Sequence, residues 1–282
     1  MTVLNPRPED DFFSERYRVS AFPEKACSAC DDPFAPLNKW EKRCQPCRIA
    51  GKQAEKSLAN PGYTGVKTPP PGIRFYPSGK GTRYPSVTSI LHPEGIDFPK
   101  ELLEQYAARG TLIHRKVELF LKEGKYPSLK DMWLRFRDIR DTIDTLKKGS
   151  LKLDHTKCNW PGFYKEHGAR FTFDEVETLL VNHEHEYAGR TDAIGTFDGM
   201  PAIIDFKTAS DYNKDKLAGY FMQLSAYAGA TGVQIEALVV IPLNPKSPVG
   251  YDAPLVSTGK EVDKHFAKFL TKRRELKEKY GI

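Results

Sequence analysis

Asp192, in the run Gly189-Arg190-Thr191-Asp192, is followed by a second carboxylate and an amine in Asp205-Phe206-Lys207. Two hard oxygen ligands suit a small divalent cation such as Mg²⁺ or Mn²⁺, and a neighbouring amine can hold or polarise an attacking water. Residues 205 and 207 are two apart, so on one strand both project to the same face. A turn at 198–200 would fold this strand against its predecessor and bring Asp192 alongside. Hydrolysis of a phosphodiester needs these parts: an activated water, neutralised phosphate charge and a stabilised leaving oxygen. The competing account is an exposed hairpin with ordinary charges. Against it, Asp205 ends the apolar run Ala202-Ile203-Ile204, where a carboxylate needs a partner.

A second cluster lies near the N-terminus. Cys27-x-x-Cys30 and Cys44-x-x-Cys47 are two knuckles separated by residues 31–43. Four thiolates at such spacing predict a tetrahedral structural Zn²⁺ site with no open position for catalysis. A disulfide framework belongs to secreted chains, and no secretory segment is evident. Haem attachment fails because Arg48 follows Cys47. The fifth cysteine, Cys158, reads as a packed thiol.

These groups need a scaffold, and the chain predicts one. Residues 1–58 hold the zinc-binding module and 59–85 a Pro/Gly-rich connector with a hairpin in its later part. Residues 86–282 form the main domain. Its predicted order is a short helix at 86–91, helices at 99–123 and 129–147, and strands at 175–182, 185–197 and 200–208. A helix at 215–231, a strand at 234–242 and a helix at 259–279 follow. That order implies an α/β fold, a central sheet with helices packed around it. His183-Glu184-His185-Glu186 alternates as a strand would, placing the two histidines on one exposed face.

The 282 residues carry a net charge of +6, with 39% hydrophobic content, as in ordinary globular proteins. No apolar run reaches membrane-spanning length, so an intracellular, soluble chain without a membrane partner is expected. The segment from 259 onward is rich in Lys and Arg, which fits either a phosphate-tracking surface or a solvated helix end. Gly79-Lys80-Gly81-Thr82 is not a P-loop, and no dinucleotide fingerprint or nucleophile elbow is present.

The motif Gly-Arg-Thr-Asp followed by Asp-Phe-Lys-Thr resembles the core of the PD-(D/E)XK nucleases in their RecB-like branch. Two further segments are similar to that branch's signatures: Gly110-Thr-Leu-Ile-His114 upstream and Gln223-Leu-Ser-Ala-Tyr227 downstream. Tyr84-Pro-Ser-Val-Thr-Ser-Ile-Leu91 is similar to the domain entry of phage-type exonucleases and the mitochondrial genome maintenance exonuclease. The resemblance covers about residues 73–280. Thr191 stands where the family name has Pro, and Asp205 takes the Asp option.

The resemblance implies a restriction-endonuclease-like fold with a mixed central β-sheet flanked by helices. It also implies a Mg²⁺- or Mn²⁺-dependent deoxyribonuclease, most simply an exonuclease on single-stranded DNA or DNA ends, phage-encoded or serving repair or recombination. Asp192, Asp205 and the carbonyl of Phe206 would ligate one or two ions, joined by His114, while Lys207 orients the water. Gln223 and Tyr227 would orient the site or touch the DNA backbone; helix packing is the alternative for Tyr227. Glu177 is an outer-shell or second-metal candidate. Arg190 would contact phosphate or pair with a carboxylate. Several relatives hold an iron–sulfur cluster through C-terminal cysteines. No cysteine follows Cys158, so none is expected here. Two other accounts remain: an endonuclease with the same site, and a non-catalytic DNA-binding or adaptor protein led by its zinc module, which would also offer a protein-binding surface.

Overall fold

Alternation builds the sheet. In a computed structural model, residues 25–26, 33–34, 72–79, 82–95, 98–151 and 153–282 are described. Ala202, Ile204 and Phe206 enter one apolar layer while Ile203, one residue out of phase, enters the other. Two-residue strands β1 (Lys25–Ala26) and β2 (Pro33–Phe34) pair antiparallel. They bracket Cys27 and Cys30 in sequence; the four-cysteine site itself lies outside the described residues. Strands β3 (Phe75–Gly79) and β4 (Thr82–Pro85) form the expected small hairpin.

Among the described residues, the main unit comprises 72–76 and those from 84 onward. Its sheet contains β5 (Phe171–Asn182), β6 (Tyr187–Phe197), β7 (Met200–Lys207), β8 (Ala237–Pro242) and β9 (Leu255–Thr258), in that spatial order. Neighbours are antiparallel except β7 and β8, which run parallel through helix α6 (Lys214–Ala228). The sheet is therefore mixed, as the sequence led us to expect. A parallel pair needs a crossover of this kind because a tight turn cannot reverse twice.

Helices cover both faces. On one side, Ile113, Val117 and Leu121 of α2 (Lys100–Glu123) pack with Trp160 and Phe163 of α5 (Trp160–His167) against β5–β8. On the other, α1 (Val87–Leu91), α6 and α7 (Lys260–Tyr280) bury Ile90, Leu224, Phe269 and Leu276. A third cluster joins Leu112 and Leu119 of α2 to Met132, Ile139 and Ile143.

Three expectations need correction. The helix expected at 129–147 is two helices, α3 (Leu129–Arg135) and α4 (Arg137–Lys148), broken at Phe136, whose φ of −128° and ψ of 110° are extended. Residues 183–186 are not strand but the β5–β6 turn: the His185 N–H donates to Asn182 Oδ1, and Glu186 takes a φ of 55°. Helix α5 and strand β9 were not expected. Asn159 caps α5 by accepting from the Gly162 N–H, so Trp-Pro-Gly begins a helix, with Pro tolerated in its first turn.

Among the described residues, no helix is long and apolar enough to cross a membrane.

Candidate active site at the fork of β6 and β7

The site forms where two strands part. The β6–β7 ladder runs from Phe197↔Met200 to Ala193↔Ile204. Just beyond it, the Phe206 N–H donates not to β6 backbone but to Asp192 Oδ2, at 2.8 Å. A side chain thus takes over a ladder bond, and the free donor that a fork would create is satisfied. The other oxygen, Oδ1, lies 3.2 Å from His114 Nδ1 on α2.

Glu177 arrives from β5. It falls between the rungs Val176↔Ala193 and Thr178↔Thr191, in line with Asp192, and its φ is 58°. This left-handed conformation is unusual for a side chain with Cβ and tends to mark functional positions. Ligand atoms of His114, Glu177 and Asp192 all lie within 4.8 Å of one another. One imidazole nitrogen and two carboxylate oxygens fit a divalent cation of the Mg²⁺/Mn²⁺ type, and imidazole admits softer ions as well.

Charge is finely divided here. Burial alone would push His114 down, but the Asp192 carboxylate overrides it and lifts the imidazole to about 9. Burial would raise Asp192, yet His114 and the Phe206 N–H hold it below the usual carboxylate range. Burial, then the charges of Asp192 and Glu118, pushes Glu177 up to about 7. Glu118 itself is held by Arg115 and Lys122.

Asp205 and Lys207 stand on the neighbouring strand in different company. Lys207 Nζ donates to Asp205 Oδ1 at 3.0 Å, lies 2.7 Å from Oδ2, and reaches Gln223 Oε1 at 3.3 Å. Gln223 Nε2 donates to Tyr227 Oη at 3.1 Å, which fixes its amide orientation. The Tyr220 ring faces the ammonium, 5.0 Å from its centroid. The Tyr212 hydroxyl donates to the Lys207 carbonyl at 2.7 Å. Burial lowers Lys207, but Asp205 and Asp192 more than compensate, so it stays an ammonium. Burial pushes Asp205 up to about 6 despite Lys207.

The sequence-derived residues His114, Asp192, Asp205, Lys207, Gln223 and Tyr227 therefore come together, and Glu177 joins them. The ion-sized cluster contains Glu177, whereas the Asp205 carboxylate is turned to Lys207. Phe206 sends its ring into the core against Trp160, 5.2 Å between centroids. Arg190 lies 3.7 Å from Glu177, with half its side chain exposed. Gly189 leaves room for the site: a Cβ there would sit 2.6 Å from Tyr227 Cε1.

Sequence reasoning missed Tyr212, Tyr220 and Arg109. Arg109 is buried on α2 and donates to the Thr208 carbonyl, just past Lys207. Tyr220 precedes Gln223 by one helical turn, a spacing that placed it beside Lys207 once Gln223 was assigned.

A cavity of about 600 Å³ opens over this fork, lined by His114, Glu177, Asp192, Gln223 and Tyr227 and by the guanidinium residues Arg74, Arg115 and Arg190. Its lining mixes acids, Glu118 and Asp138 included, with three arginines, a composition that suits a bound anion bridged by a cation.

No family model matches the chain, and no curated protein matches it. Among solved structures it is similar to SSO0001, at 13% identity and a TM-score of 0.29, over 64% of this chain and 85% of that one. It is also similar to the alkaline exonuclease LHK-Exo of Laribacter hongkongensis, at 11% identity and a TM-score of 0.29, over 62% of this chain and 88% of that one. The LHK-Exo complex with dAMP matches at a TM-score of 0.25, with 11% identity over 62% of this chain and 90% of that one. Likeness at this level does not bear on what the chain does.

Proposed function

We propose that the chain is a metal-dependent deoxyribonuclease, acting as an exonuclease on single-stranded DNA or DNA ends. The observation that carries this reading is the juxtaposition of an ion-sized His114/Glu177/Asp192 cluster with the Lys207–Asp205 pair on the adjoining strand.

When bound, a divalent ion would neutralise phosphate charge and lower the barrier to attack by water. His114, Glu177 and Asp192 would hold that ion. Lys207 is kept charged, so it donates: its Nζ orients the water or steadies a phosphate oxygen and does not take the proton. Asp205, pushed up to about 6, keeps Lys207 in place and lies near neutrality as a proton acceptor. Gln223, oriented by Tyr227, fixes Lys207 from the helix side. Arg74, Arg115 and Arg190 would grip flanking phosphates. Cys27, Cys30, Cys44 and Cys47 would hold a structural Zn²⁺. The antiparallel β1–β2 pair that brackets the first two supports this, and the module offers a DNA- or protein-binding surface.

End-labelled linear and circular single-stranded DNA, incubated with Mg²⁺, tests the reading. Linear DNA should be shortened from an end and the circle left whole. Lys207→Ala should cleave at least about a hundredfold more slowly while still binding DNA. Undiminished cleavage by that variant overturns the assignment of Lys207, and a cut circle makes the enzyme an endonuclease.

A further inference from the structure

We propose that the exposed ring pair Phe98–Tyr106 is a stacking platform for one nucleobase of a single strand whose phosphodiester lies at His114 and Asp192. This rests on the hydrolytic reading above and extends it to how the strand is held.

Position is the first argument. Tyr106, Gly110 and His114 are spaced by four on α2, so they lie along one stripe of the helix. The stripe spans about 12 Å from Tyr106 to His114 at the helical rise, within reach of a short run of extended nucleotides.

Exposure is the second. Phe98 and Tyr106 are 44% and 40% exposed, and neither belongs to any of the three apolar clusters among the described residues. A lone surface aromatic needs no explanation, but these two are paired, with centroids 6.0 Å apart and planes at 61°. The Arg109 guanidinium lies 5.4 Å from the Tyr106 centroid and is anchored by the Thr208 carbonyl, so the ring is backed by a fixed cation. Aromatic faces beside cationic groups hold single strands with little sequence preference, because every base has a π-face.

Gly110 is the third. Glycine in mid-helix is unfavourable, yet a Cβ here would meet only Thr208 Oγ1, at an ordinary 3.7 Å. Packing does not require the glycine. It lines the cavity and keeps the stripe between the rings and His114 bare, so a sugar–phosphate backbone can lie on the helix.

The test measures binding by the full-length chain without added Mg²⁺ or Mn²⁺, using single-stranded oligonucleotides with 2-aminopurine at successive positions. Fluorescence quenching should concentrate at one position and vanish in Tyr106→Ala. Tyr106→Ala should bind about tenfold more weakly, and Tyr106→Phe within about twofold of wild type. Both variants should melt as the wild type does, since the ring is exposed. Quenching unaffected by Tyr106→Ala, or Tyr106→Phe as weak as Tyr106→Ala, overturns the platform. Failure of this kind leaves the hydrolytic reading standing. Conversely, a chain that stacks the base yet cleaves nothing in Mg²⁺ keeps the platform and loses the hydrolysis.

Discussion

The two halves of the site are built on opposite principles. Between α2, β5 and β6, His114, Glu177 and Asp192 gather ligand atoms within 4.8 Å, and all three are only partly buried. On β7, Lys207 is enclosed: Asp205 on both oxygens, Gln223 beyond, Tyr220 across its ammonium and Tyr212 on its carbonyl. In the first half two carboxylates, Asp192 and Glu177, stand close together, and the His114 imidazole carries the proton that offsets Asp192. In the second, the charges already answer one another. The difference teaches that the two carboxylates read together from the sequence keep different company: Asp192 faces His114 and the Phe206 N–H, and Asp205 faces the Lys207 ammonium.

The sharpest way to break this division is to neutralise one acid in each half. Glu177→Gln keeps the shape and removes a ligand charge, and Mn²⁺ affinity by calorimetry should fall about a hundredfold. Asp205→Asn should leave that affinity within about threefold. Equal losses from both would merge the halves into a single ion site.

Proton competition sharpens it further. His114 is raised to about 9 and Glu177 to about 7, so both hold protons in the ion-free protein below those values. An ion must displace them, so its affinity should rise with pH. The slope should be about tenfold per pH unit between 7 and 9 and steeper below 7. A flat profile from pH 6 to 9 would remove these residues from the ion site. The same raised values mean that His114 stabilises the ion-free fold at low pH, a contribution lost as pH rises through 9.

The smallest expected effect concerns the cage. Tyr220→Leu should lower kcat about tenfold with KM unchanged, and Tyr220→Phe should restore it, because the ring face and not the hydroxyl meets Lys207. If Tyr220→Phe is as slow as Tyr220→Leu, the contact is not a cation–π one.

How much of this was legible varied with how local the cause was. The β6–β7 hairpin was clear because Asp198-Gly199 marks its turn and the flanking residues alternate. The break at Phe136 was invisible, since the apolar period continues on both sides while the backbone turns extended at one residue. His-Glu-His-Glu imitated a strand, but Asn182 closes a turn over it. No element was expected at Trp160-Pro161-Gly162, where the Asn159 cap makes a helix start. In the site, Asp192, Asp205 and Lys207 followed from spacing, whereas His114, Gln223 and Tyr227 entered through resemblance. Arg109 and Tyr212 act through tertiary contacts that no local pattern encodes, whereas Tyr220 could be placed only after Gln223.

The carboxylate at the fork has a consequence for reorganisation. Its two oxygens are inequivalent: Oδ2 is committed to the Phe206 amide and so to the sheet, while Oδ1 meets only a side chain. An ion arriving at Oδ1 exchanges partners with His114 and leaves the β6–β7 backbone untouched. Loading and emptying the site then cost side-chain motion alone. On the reading proposed above, ion-free and ion-bound forms should superimpose strand for strand.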